Sequence, residues 1–408
     1  MRYLLLLLPL LSSCAAPSRG AAAQATEAVS DADRIVRDLC DKQLALLGEE
    51  GHHGNARTVA FKAELTRRLV EECQYDAFVI EAGIYDFIHI QTLLKEGQPV
   101  SEDVVAAAIG GMWANQEMAP LIPFLVERLK AGTLVAGGLD DQIGRGTYAQ
   151  REMTRELIPA LEGPRQAECG EVLERHMFWR YDEANGYTVE TARFILGCWK
   201  ELEAVLSRPG VATTPRSQGQ LQMVRSLERN FTRQVAAMSR PAEQTGRGWN
   251  WDDFNGRDRS MFMNLEWFLS QSSRPRKAIV WLATIHAAKA LKSLDADARH
   301  GTPFGSHVQE KFGTQAFVLG FSAVSGSYAT GSSTHTYTLE PARADSLEGW
   351  AFSSHTGDTR YLDGKQLRDF GPRVARPLNY SWMTAPWAEV IDGLLVFREE
   401  APPRPVTR

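Results

Sequence analysis

No basic block runs through this sequence of 408 residues: 45 Lys and Arg are interspersed with 50 Asp and Glu, for a formal charge of -5. The dense cationic surface that neutralises a nucleic-acid backbone is missing, so nucleic acid is not an expected partner. The N-terminal apolar run, Leu4 to Leu11, is too short to cross a bilayer as a helix. There is no Gly-x-Ser-x-Gly elbow to supply a serine nucleophile. Cysteine is scarce, five in all, with no CxxC pair, and no His-x-x-x-His spacing offers two imidazoles on one helical face. Nor is there an internal repeat of solenoid or propeller period. What remains, 44% hydrophobic and 23% charged, is the balance of a globular protein with room for one large α/β domain or two ordinary ones.

The N-terminus reads as an address. Arg2, the apolar run and Leu11-Ser12-Ser13-Cys14 describe a secretory signal, and the last four residues resemble a bacterial lipobox whose cysteine is acylated. Residues 1–14 are thus a lipoprotein signal segment and Cys14 the lipid attachment site. Residues 15–30, rich in Ala and Ser, are a flexible tether. The expected location is across the inner membrane, anchored on the periplasmic side of the envelope, with the membrane as a partner through the lipid. The four other cysteines, Cys40, Cys73, Cys169 and Cys198, suit either free buried thiols or disulfides in such a compartment. Cys169 and Cys198 are close enough in sequence for neighbouring helices to pair them.

Apolar spacing at Ile35, Leu39 and Leu44 suggests a first helix, and Leu44 to Leu47 a strand leaving into Gly48-Glu49-Glu50-Gly51. Phe61, Leu65 and Leu69 mark an amphipathic helix over 57–73. Residues 77–80 form a second strand ending at Glu81, followed by helices near 84–95 and 116–130 and a strand over 134–139 that ends at Asp140 and Asp141. Residues 146–235 read as a helical insertion. A helix over 257–270, strands at 278–283, 316–321 and 390–397, and mixed hairpin and loop over 322–385 complete a domain spanning 31–400, ahead of a Pro-rich tail at 401–408. The alternation of strand and helix predicts an α/β fold: a mostly parallel central sheet flanked by helices, interrupted by the insertion.

In an open parallel sheet, ligands bind where the carboxyl ends of the strands converge. Glu50, His52 and His53 follow the first strand, Glu81 ends the second, Asp140 ends the third, and His286 lies just past the strand at 278–283. Four strand ends therefore bring carboxylates and imidazoles to one rim, where a carboxylate can hold a histidine in one tautomer as a general base. Each residue also has a plainer reading: a solvated histidine pair, helix-capping carboxylates, a satisfied core histidine at 286, a structural ion pair at Arg257 and Asp258.

Glu50-Gly51-His52-His53-Gly54, then Phe61-Lys62 and Phe78-Val79-Ile80-Glu81, resemble the ordered motifs of the erythromycin esterases. So do Trp113, Asn115 and Glu117, the segment Gly138-Leu139-Asp140, Arg257-Asp258-x-x-Met261-x-x-Asn264, and Trp281 to His286. The likeness spans most of residues 44–330. It implies hydrolysis of an ester or lactone in a small-molecule substrate, without a cofactor, through a water activated by His53. Glu50 and Glu81 would orient the imidazole, and Lys62 or Arg257 would stabilise the oxyanion. His286 joins the catalytic set, while Lys62, His52, Asp140 and Asp258 are candidates for substrate contact. The chain departs from the family where Ala283 stands in place of the first histidine of a Trp-Ala-His-Asn-x-His segment. Two other readings stay open: a metal-dependent hydrolase using His53, Glu50, Glu81 and His286 as ligands, and an envelope-anchored binding protein without catalysis.

Overall fold

The computed structural model describes residues 29–240, 250–294 and 297–406. Cys14, the signal segment and nearly all of the tether lie outside the described residues.

In chain order the strands are β1 (Leu44–Leu47), β2 (His53–Gly54), β3 (Ala77–Gly83), β4 (Val135–Asp140), β5 (Ala278–Trp281), β6 (Ala316–Thr330), β7 (Thr336–Thr338), β8 (Thr359–Leu362), β9 (Pro372–Ala375), β10 (Met383–Pro386) and β11 (Gly393–Glu400). The main sheet has the order β4-β3-β5-β1-β6-β11-β8, with β2 and β7 also paired to β6. Every pairing from β4 to β11 is parallel and β8 joins antiparallel. The fold is therefore the mostly parallel α/β sheet that the alternation of elements predicts. Strand β1 shows why: all four residues are buried, with Ala45 and Leu47 in one core and Leu44 and Leu46 in the other. Alternate side chains feed two faces, so the strand has no polar side and must lie in the middle.

On the flanks, α1 (Asp31–Leu39) stops before Leu44, which belongs to β1, so the apolar spacing at Ile35 and Leu39 does not carry through as helix. Helix α2 (Ala56–Cys73) buries Val59, Leu65 and Leu69, with Lys62 on the same buried side. Helix α3 (Ile84–Lys95) matches its expected bounds, whereas α4 (Glu102–Ile109) precedes an α5 (Leu121–Lys130) that begins only after Pro120. Between β4 and β5 run α6 (Tyr148–Arg151), α7 (Met153–Leu157), α8 (Pro164–Met177), α9 (Val189–Leu206), α10 (Pro215–Met238) and α11 (Trp251–Ser270). Helices α8 to α10 share a core with Ile84, Tyr85 and Ile88 of α3. Cys169 of α8 is bonded to Cys198 of α9, and Cys40 to Cys73 ties the end of α1 to that of α2.

Three differences from the sequence reading shape the site. Two strands joined by a single helix usually lie side by side, as the spacing of the first two strands would suggest, but β5 lies between β1 and β3 and pairs with both. Strand β6 runs to Thr330 rather than 321, and its far half pairs with His53 and Gly54 of β2. Beyond β5 the chain turns at once into the short helix α12 (Thr284–Ala287), which lifts His286 above the sheet edge. At the chain end, residues 387–390 form a helical turn before β11, and Arg404 is paired with Glu117 at 2.9 Å.

Candidate active site

The turn from β1 to α2 places His53. Its φ of 57° lies in the left-handed region, which costs a β-carbon-bearing residue on the order of 1–2 kcal/mol. Its N–H bonds the Glu50 carbonyl at 3.0 Å, and its pairing with Thr330 keeps the conformation in place. Gly51 permits the turn, since a β-carbon there would fall 1.8 Å from Asn379 Oδ1. So folded, the turn brings His53 Nδ1 to 2.7 Å from Oε1 of Glu49. Trp113 Nε1 donates to the same oxygen at 3.0 Å and Lys62 Nζ to the other at 3.0 Å. Glu49 and Lys62 are both fully buried, and Lys62 also sits 4.1 Å from the Trp281 ring centre.

The carboxylate that holds His53 is thus Glu49, not Glu50. Glu50 is buried with His52 Nδ1 at 3.8 Å, and neither of its oxygens has a hydrogen-bond partner among the described residues. Burial pushes its carboxyl pKa up. His52 packs against Tyr328 and Tyr337 instead of facing the rim at the strand ends. Lys62 lies behind Glu49 and cannot meet an oxyanion. Burial lowers its pKa to about 8 against the pull of Glu49.

The opposite wall comes from β3, β4, α11 and α12. In α11 the buried stripe reads Phe254, Asp258, Met261, Leu265 and Phe268, so a carboxylate stands in an apolar row. Asp258 is fully buried and holds His286 Nδ1, with both oxygens at 2.9 Å, while Phe254 stacks on the imidazole at 5.1 Å. Asp258 therefore fixes the His286 ring and does not itself line the cavity that His286 faces. Arg257, one residue earlier, forks onto Asp140 at 3.2 and 2.7 Å, reaches Glu81 Oε1 at 2.9 Å and comes within 3.1 Å of His286 Nε2. The other Glu81 oxygen accepts the Ala283 N–H at 2.8 Å. Asp141 points away and pairs with Arg233.

His53, Glu81, Asp140, Arg257 and His286 face one cavity of 380 Å³ at the carboxyl ends of the strands, together with Trp113 and Ala283. Burial disfavours the charged form of His53, but the Glu49 hydrogen bond and the charges of Glu81 and Glu49 outweigh it, so its pKa is raised. His286 is raised likewise: burial opposes, and Asp258 and Glu81 prevail. Burial would also raise Glu81, yet His286, Arg257 and His53 hold it far below the usual carboxylate range. Two imidazoles, each gripped at Nδ1 by a buried carboxylate, thus face a cavity with an arginine between them. The described residues contain no cluster of three or more His, Cys, Asp or Glu arranged for a metal ion. Glu50 does not line the cavity that His53, Glu81 and His286, the other three residues of the metal-ligand set, line.

The family model for erythromycin esterase matches residues 70–397. Glu81, Asp140, Arg257, Asp258 and His286 fall inside that range; Glu49, His53 and Lys62 precede it. A search of curated protein sequences found no match. Among solved structures, a succinoglycan biosynthesis protein superposes with a TM-score of 0.68 at 14% identity, covering 93% of this chain and 94% of its own. A protein from Bacillus cereus gives 0.68 at 16% identity over 94% of both chains. A mutant of the erythromycin esterase EreC, in its open conformation, gives 0.68 at 14% identity over 92% of this chain and 95% of its own. At these identities the likeness to solved structures is one of fold.

Proposed function

The chain belongs to the erythromycin esterase family, and from that premise we propose that it hydrolyses an ester or lactone with a water activated by His53. The observation that carries this reading is the 2.7 Å contact between His53 and Glu49 at the wall of a cavity that also holds Arg257 and His286. With Nδ1–H donated to Glu49, the other ring nitrogen is the free base. It takes a proton from water as the oxygen bonds to the substrate carbonyl carbon, and the oxyanion so formed is met by the Arg257 guanidinium. Collapse breaks the carbon–oxygen bond to the leaving alcohol, which takes the proton back from the His53 imidazolium. Glu81 stabilises both imidazolium and guanidinium by its charge. The experiment that decides is turnover of simple aryl esters and of macrolactones. Ala283, whose methyl faces the cavity where family members carry an imidazole, favours the other reading, a binding protein, if no ester is turned over.

This reading fixes a pH dependence. His53 must be neutral to act, and its pKa is raised, so kcat/KM should climb with pH along a limb centred above the ordinary imidazole value. Glu49→Gln removes the carboxylate whose hydrogen bond does most to raise that pKa, so the limb should move to lower pH while the plateau falls. Lys62, with its pKa near 8, can shed its proton to relieve the lost counter-charge. A limb that stays in place in the variant would mean that His53 is not the titrating base.

The N-terminal segment supports an envelope location, with Cys14 acylated. Cys14→Ser should shift the protein from the membrane to the soluble fraction and remove the lipid mass. Retention in the membrane by the unlipidated variant would disprove the anchor.

A further inference from the structure

Asn379 lines the cavity at the strand ends, and its side chain makes no hydrogen bond to any described residue. The backbone that presents it is strained. Asn379 has φ 51° and Tyr380 φ 48°, two successive left-handed residues, a conformation that asparagine tolerates and tyrosine rarely adopts. Tyr380 is fixed by the exit of the His53 turn: its hydroxyl accepts from Asn55 Nδ2 at 2.6 Å, and its ring packs on Tyr328 at 5.0 Å. On the entry side of the same turn Gly51 makes room for Asn379, since a β-carbon there would meet Oδ1 at 1.8 Å and Cγ at 2.8 Å. Oδ1 is buried against that glycine, which leaves Nδ2 as the polar end turned to the cavity. Strain kept around an unpaired polar group points to a contact that a ligand completes.

An oxyanion formed in this cavity needs donors, and most on its wall are already committed. Arg257 gives its Nε–H to Asp140, its Nη2 hydrogens to Asp140 and Glu81, and one Nη1 hydrogen to His286 Nε2, so a single N–H on Nη1 remains. Trp113 Nε1 is spent on Glu49, as is Nδ1–H of His53, and Nδ1–H of His286 goes to Asp258. Glu81 and Asp140 offer only acceptors. Gln142, the other amide on the wall, is exposed and stays hydrated, so a hydrogen bond from it gains little. A tetrahedral oxyanion accepts more than one hydrogen bond, and a donor held in place beforehand stabilises it more than one recruited from water. Asn379 Nδ2 is that donor: neutral, unpaired and fixed beside the turn that carries the base.

We propose that Asn379 is a catalytic residue whose Nδ2 donates a hydrogen bond to the oxyanion alongside Arg257. Its part in turnover rests on the esterase reading; its contact with a tetrahedral anion does not. Asn379→Gly is the clean variant, because glycine keeps the left-handed backbone while the amide is lost. It should lower kcat for 4-nitrophenyl acetate by about a hundredfold with little change in KM, the usual result of deleting an oxyanion donor. Calorimetry should show phenyl methylphosphonate, a stable tetrahedral anion, bound about tenfold more weakly than by the wild type. Gly51→Ala should reproduce both effects by displacing the amide. The double variant should be no worse than Asn379→Gly alone, because the space that the new methyl needs is then empty, whereas independent structural roles would make the losses add. Unchanged kcat in Asn379→Gly, a loss confined to KM, or additive losses in the double variant overturns the proposal. If the wild type turns over no ester, the phosphonate decides. Binding weakened in both single variants then supports the anion contact and counts against the esterase reading alone, while no binding, or equal affinity in Asn379→Gly, overturns the proposal as well.

Discussion

Replacing His53 by alanine should lower kcat by about a hundredfold to ten-thousandfold, the usual cost of losing a positioned general base. Circular dichroism and the unfolding midpoint should change little. His53 faces the cavity, and its Nδ1 is held by Glu49, which two further donors fix in place. The turn is also held from outside the side chain, by the His53 N–H to the Glu50 carbonyl at 3.0 Å and by the pairing with Thr330. His52→Ala is the control, because the neighbouring imidazole packs on Tyr328 and Tyr337 away from the cavity. Its effect on kcat should stay small. Loss of turnover in His52→Ala with near-normal rates in His53→Ala would overturn the assignment. Equal rates in both would place the chemistry elsewhere.

Arg257→Met should cost stability as well as rate. The guanidinium is the cation among Glu81 and Asp140, both buried, with Asp258 and His286 close behind. Removing one partner of such an assembly leaves uncompensated buried charge, which typically destabilises by about 3–5 kcal/mol. Denaturant unfolding at neutral pH should show a loss of that order. The pH dependence gives the sign. In the wild-type protein Glu81 is held well below its ordinary range, so it contributes stability above the unfolded carboxylate pKa and loses it as pH falls. Without Arg257 the folded-state pKa of Glu81 rises, so the deficit should be largest near neutrality and narrow on acidification. Arg257→Lys should recover part of the stability, but not the two-point grip on Asp140. An unfolding free energy unchanged at neutral pH would show that the carboxylates do not depend on Arg257.

The rim of the sheet was readable because strand ends are short apolar runs that stop at a charge. Ala77 to Ile80 into Glu81, Val135 to Leu139 into Asp140, and Ala278 to Trp281 shortly before His286 all show that pattern. The partner of His53 was not. Glu49 and Glu50 are adjacent and chemically alike, and the choice between them depends on the left-handed φ of His53, which a histidine rarely adopts and nothing in its neighbours announces. Strand spacing likewise suggested that β1 and β3 lie side by side. The insertion of β5 between them links residues far apart in sequence, and no local pattern encodes it.

Periodicity, strand-terminal charges and ordered motifs determined the α/β class, the parallel sheet and the edge at which chemistry collects, because these follow from which side chains must leave water and where the chain must turn. Tertiary structure alone decided which carboxylate meets which imidazole, which cation lies buried behind the site and which faces it, and how Asn379 comes to lie against Gly51 at the cavity wall. Those are contacts between elements distant in sequence, made only once the sheet order and one strained turn are in place.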